Sequence, residues 1–155
     1  MSHLPKSSLL PVGRIVLLSI KPKYADLIVS GAKRVELRRS WAAQEVSKIV
    51  IYSSSPVQKL VGIVDVEEAK AASITALWKI CTERGGGLTR QELRDYFVGK
   101  QRGTGVLLGK VRTFSKHIDP TEIIEGFVPP QSFRYIDVVD YKKLEMKLMV
   151  EGKEQ

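Results

Sequence analysis

One glycine, Gly62, interrupts a nearly continuous apolar run from Leu60 to Val66. A run this short and this apolar reads as a buried strand, and a glycine inside it marks a bend or bulge. A barrel corner needs such a residue. Further strand-like stretches are Ile15 to Ile20, Val35 to Arg39, Ser47 to Tyr52, Gly103 to Phe114 and Phe133 to Val139. Helical patterns sit between them. Five or six short strands with inserted helices predict an α+β fold, a small barrel rather than a βαβ array.

The helices carry their own punctuation. Pro22 suits a first helical position, and Tyr24, Leu27 and Ile28 share an apolar face, so Pro22 to Ser30 reads as amphipathic. Gly31 then suits the left-handed residue that ends a helix. Ser73 to Arg84 is a helix by period, with Ser73 as N-cap, and the triple glycine 85–87 ends it. That triplet lacks the Gly-Lys-Ser/Thr that follows in a P-loop, so it reads as a flexible linker. Thr89 and Glu92 form a capping box that opens a second helix to about Phe97. The tail 140–155 alternates like a strand at Leu144, Met146, Leu148 and Val150, but its Lys, Leu, Glu and Met residues favour helix. The expected organisation is a loose arm over 1–13, one domain over 14–139 and a C-terminal extension over 140–155.

The segment from Gly31 to Trp41 concentrates charge where a helix stops and a strand begins. In a strand, Arg34, Glu36 and Arg38 project to one face, and Val35, Leu37 and Arg39 to the other. A carboxylate between two guanidinium groups stays ionised and holds them in place. Lys33 lies in the preceding turn, within reach of the same face. The arrangement suits a phosphate or a polar heterocycle, although a charge run of this kind is more often just a solvated strand face.

Composition narrows the classes. The formal net charge is +8 and the isoelectric point near 9.6. Residues 31–41 carry net +3 and residues 79–112 net +5, which accounts for the whole excess. Such a balance favours polyanionic partners, because phosphate neutralisation releases counterions. A single cysteine, Cys81, excludes an internal disulfide framework and suits a reducing, cytoplasmic compartment. No apolar run approaches the roughly 18 residues of a membrane span. The two histidines, His3 and His117, are isolated, and no His/Cys cluster has metal spacing. No metal, cofactor or membrane association is expected, and the oligomeric state is not legible.

Several segments together resemble the ASCH domain family. They are Leu18 to Pro22, Ile28 to Gly31, and a Gly-x-Lys-x-x-Glu-x-Arg motif at Gly31, Lys33, Glu36 and Arg38. Ile51 to Pro56 with Leu60 to Gly62 looks like the family's second strand pair. Leu93, Tyr96 and Phe97 with Gly103 to Gly105 resemble its late helix-to-strand passage, and Gln131 to Tyr135 its closing segment. The likeness spans about residues 15 to 136. It implies a PUA-like β-barrel and a nucleic-acid-linked role, most often RNA binding or regulation of transcription or translation. Some branches of the family are enzymes: one is an amidohydrolase acting on an acetylated cytidine, and others are linked to RNA cleavage. The amidohydrolase branch carries Lys-x-x-Thr. Glu36 stands at that threonine position here, so the threonine nucleophile is absent, while Lys33 matches.

Two uses of the motif follow, and the residues alone leave both open. As a binding site for RNA or a modified nucleotide, Lys33 and Arg38 hold phosphate or a carbonyl edge, Glu36 accepts from a base while keeping Arg38 oriented, and Arg34 and Arg39 are further ligand-binding candidates. Trp41 offers a stacking surface, and Ser53 and Ser54 offer hydroxyls and amides to a phosphate. Tyr52 reads as core packing. Arg90, Arg94, Lys100 and Arg102 extend a basic track for the flanking backbone. As an enzyme, Lys33 is a base or nucleophile and Glu36 a proton shuttle, acting on RNA phosphodiesters or N-acylated nucleosides. The stretch from Leu144 to Val150 is the one candidate for a protein partner.

Overall fold

The computed structural model describes residues 13–153, so the predicted arm lies, except for Gly13, outside the described residues. In chain order the elements are β1 (Arg14–Ile20), α1 (Pro22–Val29), β2 (Val35–Arg38), β3 (Val46–Ser53), β4 (Lys59–Ser73), α2 (Ile74–Arg84), α3 (Arg90–Tyr96), β5 (Arg102–Ile118), β6 (Phe133–Ile136) and α4 (Val138–Lys153). A 3-10 turn over Pro120–Glu122 follows β5. The fold is α+β.

All six strands belong to one sheet in the order β2-β5-β4-β3-β1-β6. Neighbours are antiparallel except β1 and β3, which are parallel. Both faces of the sheet are covered. On β1, Ile15 and Leu17 join a cluster with Tyr52, Phe114, Tyr141 and Leu144, whereas Val16, Leu18 and Ile20 join another with Ala25 and Ile28 of α1. Such two-sided burial explains why β1 and β4 read as unbroken apolar runs rather than alternating ones. A third cluster packs Val35 and Leu37 of β2 against Leu77 and Cys81 of α2 and Leu93 and Phe97 at α3.

The bend predicted at Gly62 is present. Register shifts on both sides of β4 at this point, between Leu60 and Gly62 against β5 and between Ile51 and Tyr52 against β3. A Cβ on Gly62 would sit 2.8 Å from the Arg112 carbonyl oxygen, so only glycine lets β5 approach.

The barrel is where the prediction needs correcting. The six-stranded sheet is not closed: its edge strands β2 and β6 share no backbone ladder. Each is only four residues long. What joins the two margins is a side chain. Arg38 of β2 reaches Ser132, just before β6, donating from Nη2 to its carbonyl oxygen (3.2 Å) and its Oγ (2.9 Å). The gap between the margins is thus bridged by a side chain rather than closed by a backbone ladder.

Boundaries also moved, and β5 runs four residues past Phe114 to Ile118. β4 runs to Ser73, well past Val66, because the polar stretch from Glu68 to Ser73 pairs with Leu107 to Arg102 of β5. Pairing overrides weak strand propensity there. The last strand stops at Ile136, and α4 follows from Val138. The tail is helical, as its composition favours, and Tyr141 and Leu144 are buried in the core.

Candidate functional site

A cleft of about 810 Å³ opens at the gap between the sheet margins. Its floor comes from Ser19 and Ile20 at the end of β1. One wall is Lys33 and the β2 segment from Glu36 to Ser40. Leu88 with Glu92, Asp95 and Tyr96 of α3 also line it, as do Gln131 and Ser132.

Lys33 is positioned by glycines. Its backbone N–H donates to Leu27 O (2.9 Å), which folds the turn back onto α1, and Arg34 N–H donates to Gly85 O (2.7 Å). The Lys33 ammonium group donates to Gly86 O. A Cβ on Gly85 would lie 2.8 Å from Ala32 O, and one on Gly87 would lie 3.1 Å from the Lys33 side chain, and both residues have positive φ. The triplet 85–87 is therefore a docking surface for the Lys33 turn, where the sequence suggested a flexible linker. Lys33 is only 4% exposed. Burial pushes its amine below the ordinary lysine value, with the nearby Glu36 charge acting in the opposite direction. The ring of Tyr24 lies 5.3 Å from its Nζ.

Beside Lys33, Glu36 and Arg38 form an ion pair at 3.0 Å, with both side chains largely buried. Arg38 is held from the other side by Ser132, whose carbonyl also accepts from Ser19 N–H at 3.2 Å. Arg39, at the mouth, donates from Nη1 to Tyr96 O (2.9 Å) and Val98 O (2.8 Å), tying β2 to the end of α3. Glu92 completes the capping box read from the sequence and does a second job. Its Oε2 accepts from the Tyr24 hydroxyl (2.9 Å) and from Lys23 Nζ (3.2 Å). The Thr89 N–H, then Tyr24 and Lys23, hold its carboxyl down at about 2.

Of the residues singled out from sequence, Lys33, Glu36, Arg38 and Arg39 meet in the cleft. Arg34 does not share the face of Glu36. Strand geometry begins only at Val35, and the Arg34 guanidinium reaches Leu108 O (3.2 Å) and Glu67 (3.9 Å) instead. Trp41 packs on Phe133 with ring centroids 6.0 Å apart and lies outside the cleft lining. Ser53 is buried, and Ser54 N–H donates to Ile20 O (2.9 Å) at a turn. Arg90, Arg94, Lys100 and Arg102 are exposed and likewise outside the lining. Tyr52 is packed against Phe127, as read.

Sequence reasoning missed Tyr24, Asp95, Tyr96 and Ser132. Tyr24 and Tyr96 looked like ordinary helix residues. One signal was available: Glu92, Asp95 and Tyr96 have i, i+3, i+4 spacing, a single face of α3. Among the described residues, no group of three or more His, Cys, Asp or Glu is placed to hold a metal ion, and no helix is long and apolar enough to cross a membrane.

The comparisons with known proteins agree with this architecture. Residues 18–85 match the family model of the ASCH domain. An ASCH domain-containing ribonuclease of Zymomonas mobilis is 32% identical over 138 residues, covering 87% of this chain and 93% of that protein. The crystal structure of ASCH from Zymomonas mobilis superposes with a TM-score of 0.78 at 32% identity, covering 84% of this chain and 93% of that one. The N-terminal domain of Staphylothermus marinus McrB, with 14% identity and a TM-score of 0.54, shares the fold alone. On its similarity to the Zymomonas protein over nearly the full length of both, this chain belongs to the ASCH domain family.

Proposed function

We propose that this protein binds single-stranded RNA in the cleft and cleaves its phosphodiester backbone there. One observation carries the reading: a desolvated lysine amine, Lys33, sits beside the fixed Glu36–Arg38 pair in a cleft open to solvent. Similarity to a relative described as a ribonuclease supports it.

The chemistry needs only groups that the chain and the solvent supply. A neutral Lys33 amine donates one N–H to Gly86 O, which leaves its lone pair for a ribose 2′-hydroxyl. The amine takes that proton, and the oxygen attacks the adjacent phosphorus. The bond from phosphorus to O5′ breaks, O5′ takes a proton from solvent, and the products are a 2′,3′-cyclic phosphate and a free 5′-hydroxyl. Arg38 and Arg39 stabilise the charge that develops on the phosphoryl oxygens. Glu36 keeps Arg38 aimed rather than acting on the proton, since its carboxylate is already engaged at 3.0 Å. Lys100, Arg102, Arg90 and Arg94 supply the track for flanking phosphates, which makes binding salt-dependent. A cytoplasmic site of action is part of the same reading.

The test is RNA cleavage by purified protein in the presence of a chelator, with the 2′,3′-cyclic end as the expected product. RNA that binds but stays intact would replace the enzyme with a binding module, the form a regulator of transcription or translation would take. Products with a free 3′-hydroxyl would exclude attack by the ribose oxygen.

A further inference from the structure

We propose that the cleft divides a nucleotide between its walls: β2 takes the phosphate, and α3 takes the base, stacked on Tyr96 and selected by Asp95 for an exocyclic amino group. This rests on the RNA reading above and adds a base preference to it.

The two walls differ in chemistry. On the β2 side are Lys33, Arg38 and Arg39; on the α3 side are Glu92, Asp95 and the Tyr96 ring. Tyr96 is 38% exposed and lines the cleft. It does not swing freely. Its edge rests on Phe97 with centroids 4.9 Å apart at 74°, and Phe97 is buried. Arg39 fixes the backbone on both sides of that ring. Tyr96 lines the same cleft as Arg38 and Glu36. A braced aromatic a short span from a cationic wall is how single-strand readers hold a base. The cleft volume falls within the range of about 300–1,000 Å³ typical of small-ligand sites.

Asp95 is the carboxylate left to discriminate. Glu92 is taken by Thr89, Tyr24 and Lys23, and Glu36 by Arg38. Asp95 accepts from Gln91 Nε2 at 2.8 Å through one oxygen, Oδ1. An ionised carboxylate only accepts hydrogen bonds. It suits the amino group of cytosine and repels the carbonyl that uracil carries at the same ring position.

The experiment titrates the intact protein with 3′-CMP, 3′-UMP and inorganic phosphate, followed by NMR. The expected order of affinity is 3′-CMP, then 3′-UMP, then phosphate. Tyr96→Ala should weaken 3′-CMP about tenfold, while Tyr96→Phe retains it. Asp95→Asn should erase the preference of C over U without changing phosphate affinity. Equal affinity for the two nucleotides, or an unchanged Tyr96→Ala variant, would overturn the inference. RNA cleavage that persists in Tyr96→Ala with the same base preference would refute it and leave the proposed function standing. Wild-type protein that binds neither nucleotide nor phosphate and cleaves no RNA would remove both.

Discussion

Two stretches of this chain hold its excess positive charge, and they end in opposite situations. In 31–41, Lys33 and Glu36 are 4% and 5% exposed and Arg38 is largely buried; Gly86 holds Lys33, Ser132 holds Arg38, and Arg38 in turn holds Glu36 on its own strand. In 79–112, Arg90, Arg94, Lys100 and Arg102 are exposed. Arg84 there meets Glu67 at 2.8 Å, but such a surface pair contributes little. The larger charge excess is the less structured one. Net charge attracts a polyanion from a distance; desolvation and fixed geometry are what can act on one bond.

The largest expected effect lies at Lys33. If the buried amine is the base, Lys33→Ala should lower RNA cleavage by about 10²–10⁴-fold with circular dichroism unchanged. In the wild type, cleavage should rise with pH and level off below the 10.5 of an ordinary lysine, because burial makes the neutral amine available earlier. A pH profile identical in Lys33→Ala would mean that the buried amine is not the base.

Next in size is the ion pair. Glu36→Gln leaves the Arg38 guanidinium, 12% exposed, without its carboxylate, and should cost about 3 kcal/mol in denaturant unfolding. A cost within experimental error would mean that Ser132 alone holds Arg38.

The exposed track should respond weakly and evenly. Lys100→Ala and Arg102→Ala should each weaken RNA binding only a few-fold whatever the sequence, and each should lower the salt slope by about 1. A loss as large as that of Lys33→Ala would put the site on the track instead.

The smallest effect concerns Glu92. Its carboxyl is held at about 2 against an ordinary 4.5, first by the Thr89 N–H, then by Tyr24 and Lys23. A depressed acid adds stability that is fully present above pH 4.5 and is lost as pH falls towards about 2. Glu92→Gln should therefore flatten the acid unfolding limb in that window, read by near-ultraviolet dichroism.

The local elements were largely readable because their signals are local. Ser73 accepts from Ala76 N–H, the Thr89–Glu92 box is formed, Gly31 is left-handed, and Gly62 marks a bend. The polar half of β4 was not readable, since its strand state comes from β5 rather than from its own residues. Nor was the open sheet margin, which depends on how β2 and β6 meet across nearly a hundred residues of chain.

The same division holds for the cleft. Sequence alone determined that a helix ends at Gly31, that a charged strand follows, and that Lys33, Glu36 and Arg38 lie within a few residues of one another. Only the tertiary structure decided that Lys33 is buried, that Arg34 turns away to Glu67, and that Tyr24, Asp95 and Tyr96 line the same cleft as the motif. Spacing along a chain sets which side chains can share an element. Burial, and with it the behaviour of an amine, depends on which distant backbone closes over it, and here that backbone is the glycine turn at 85–87.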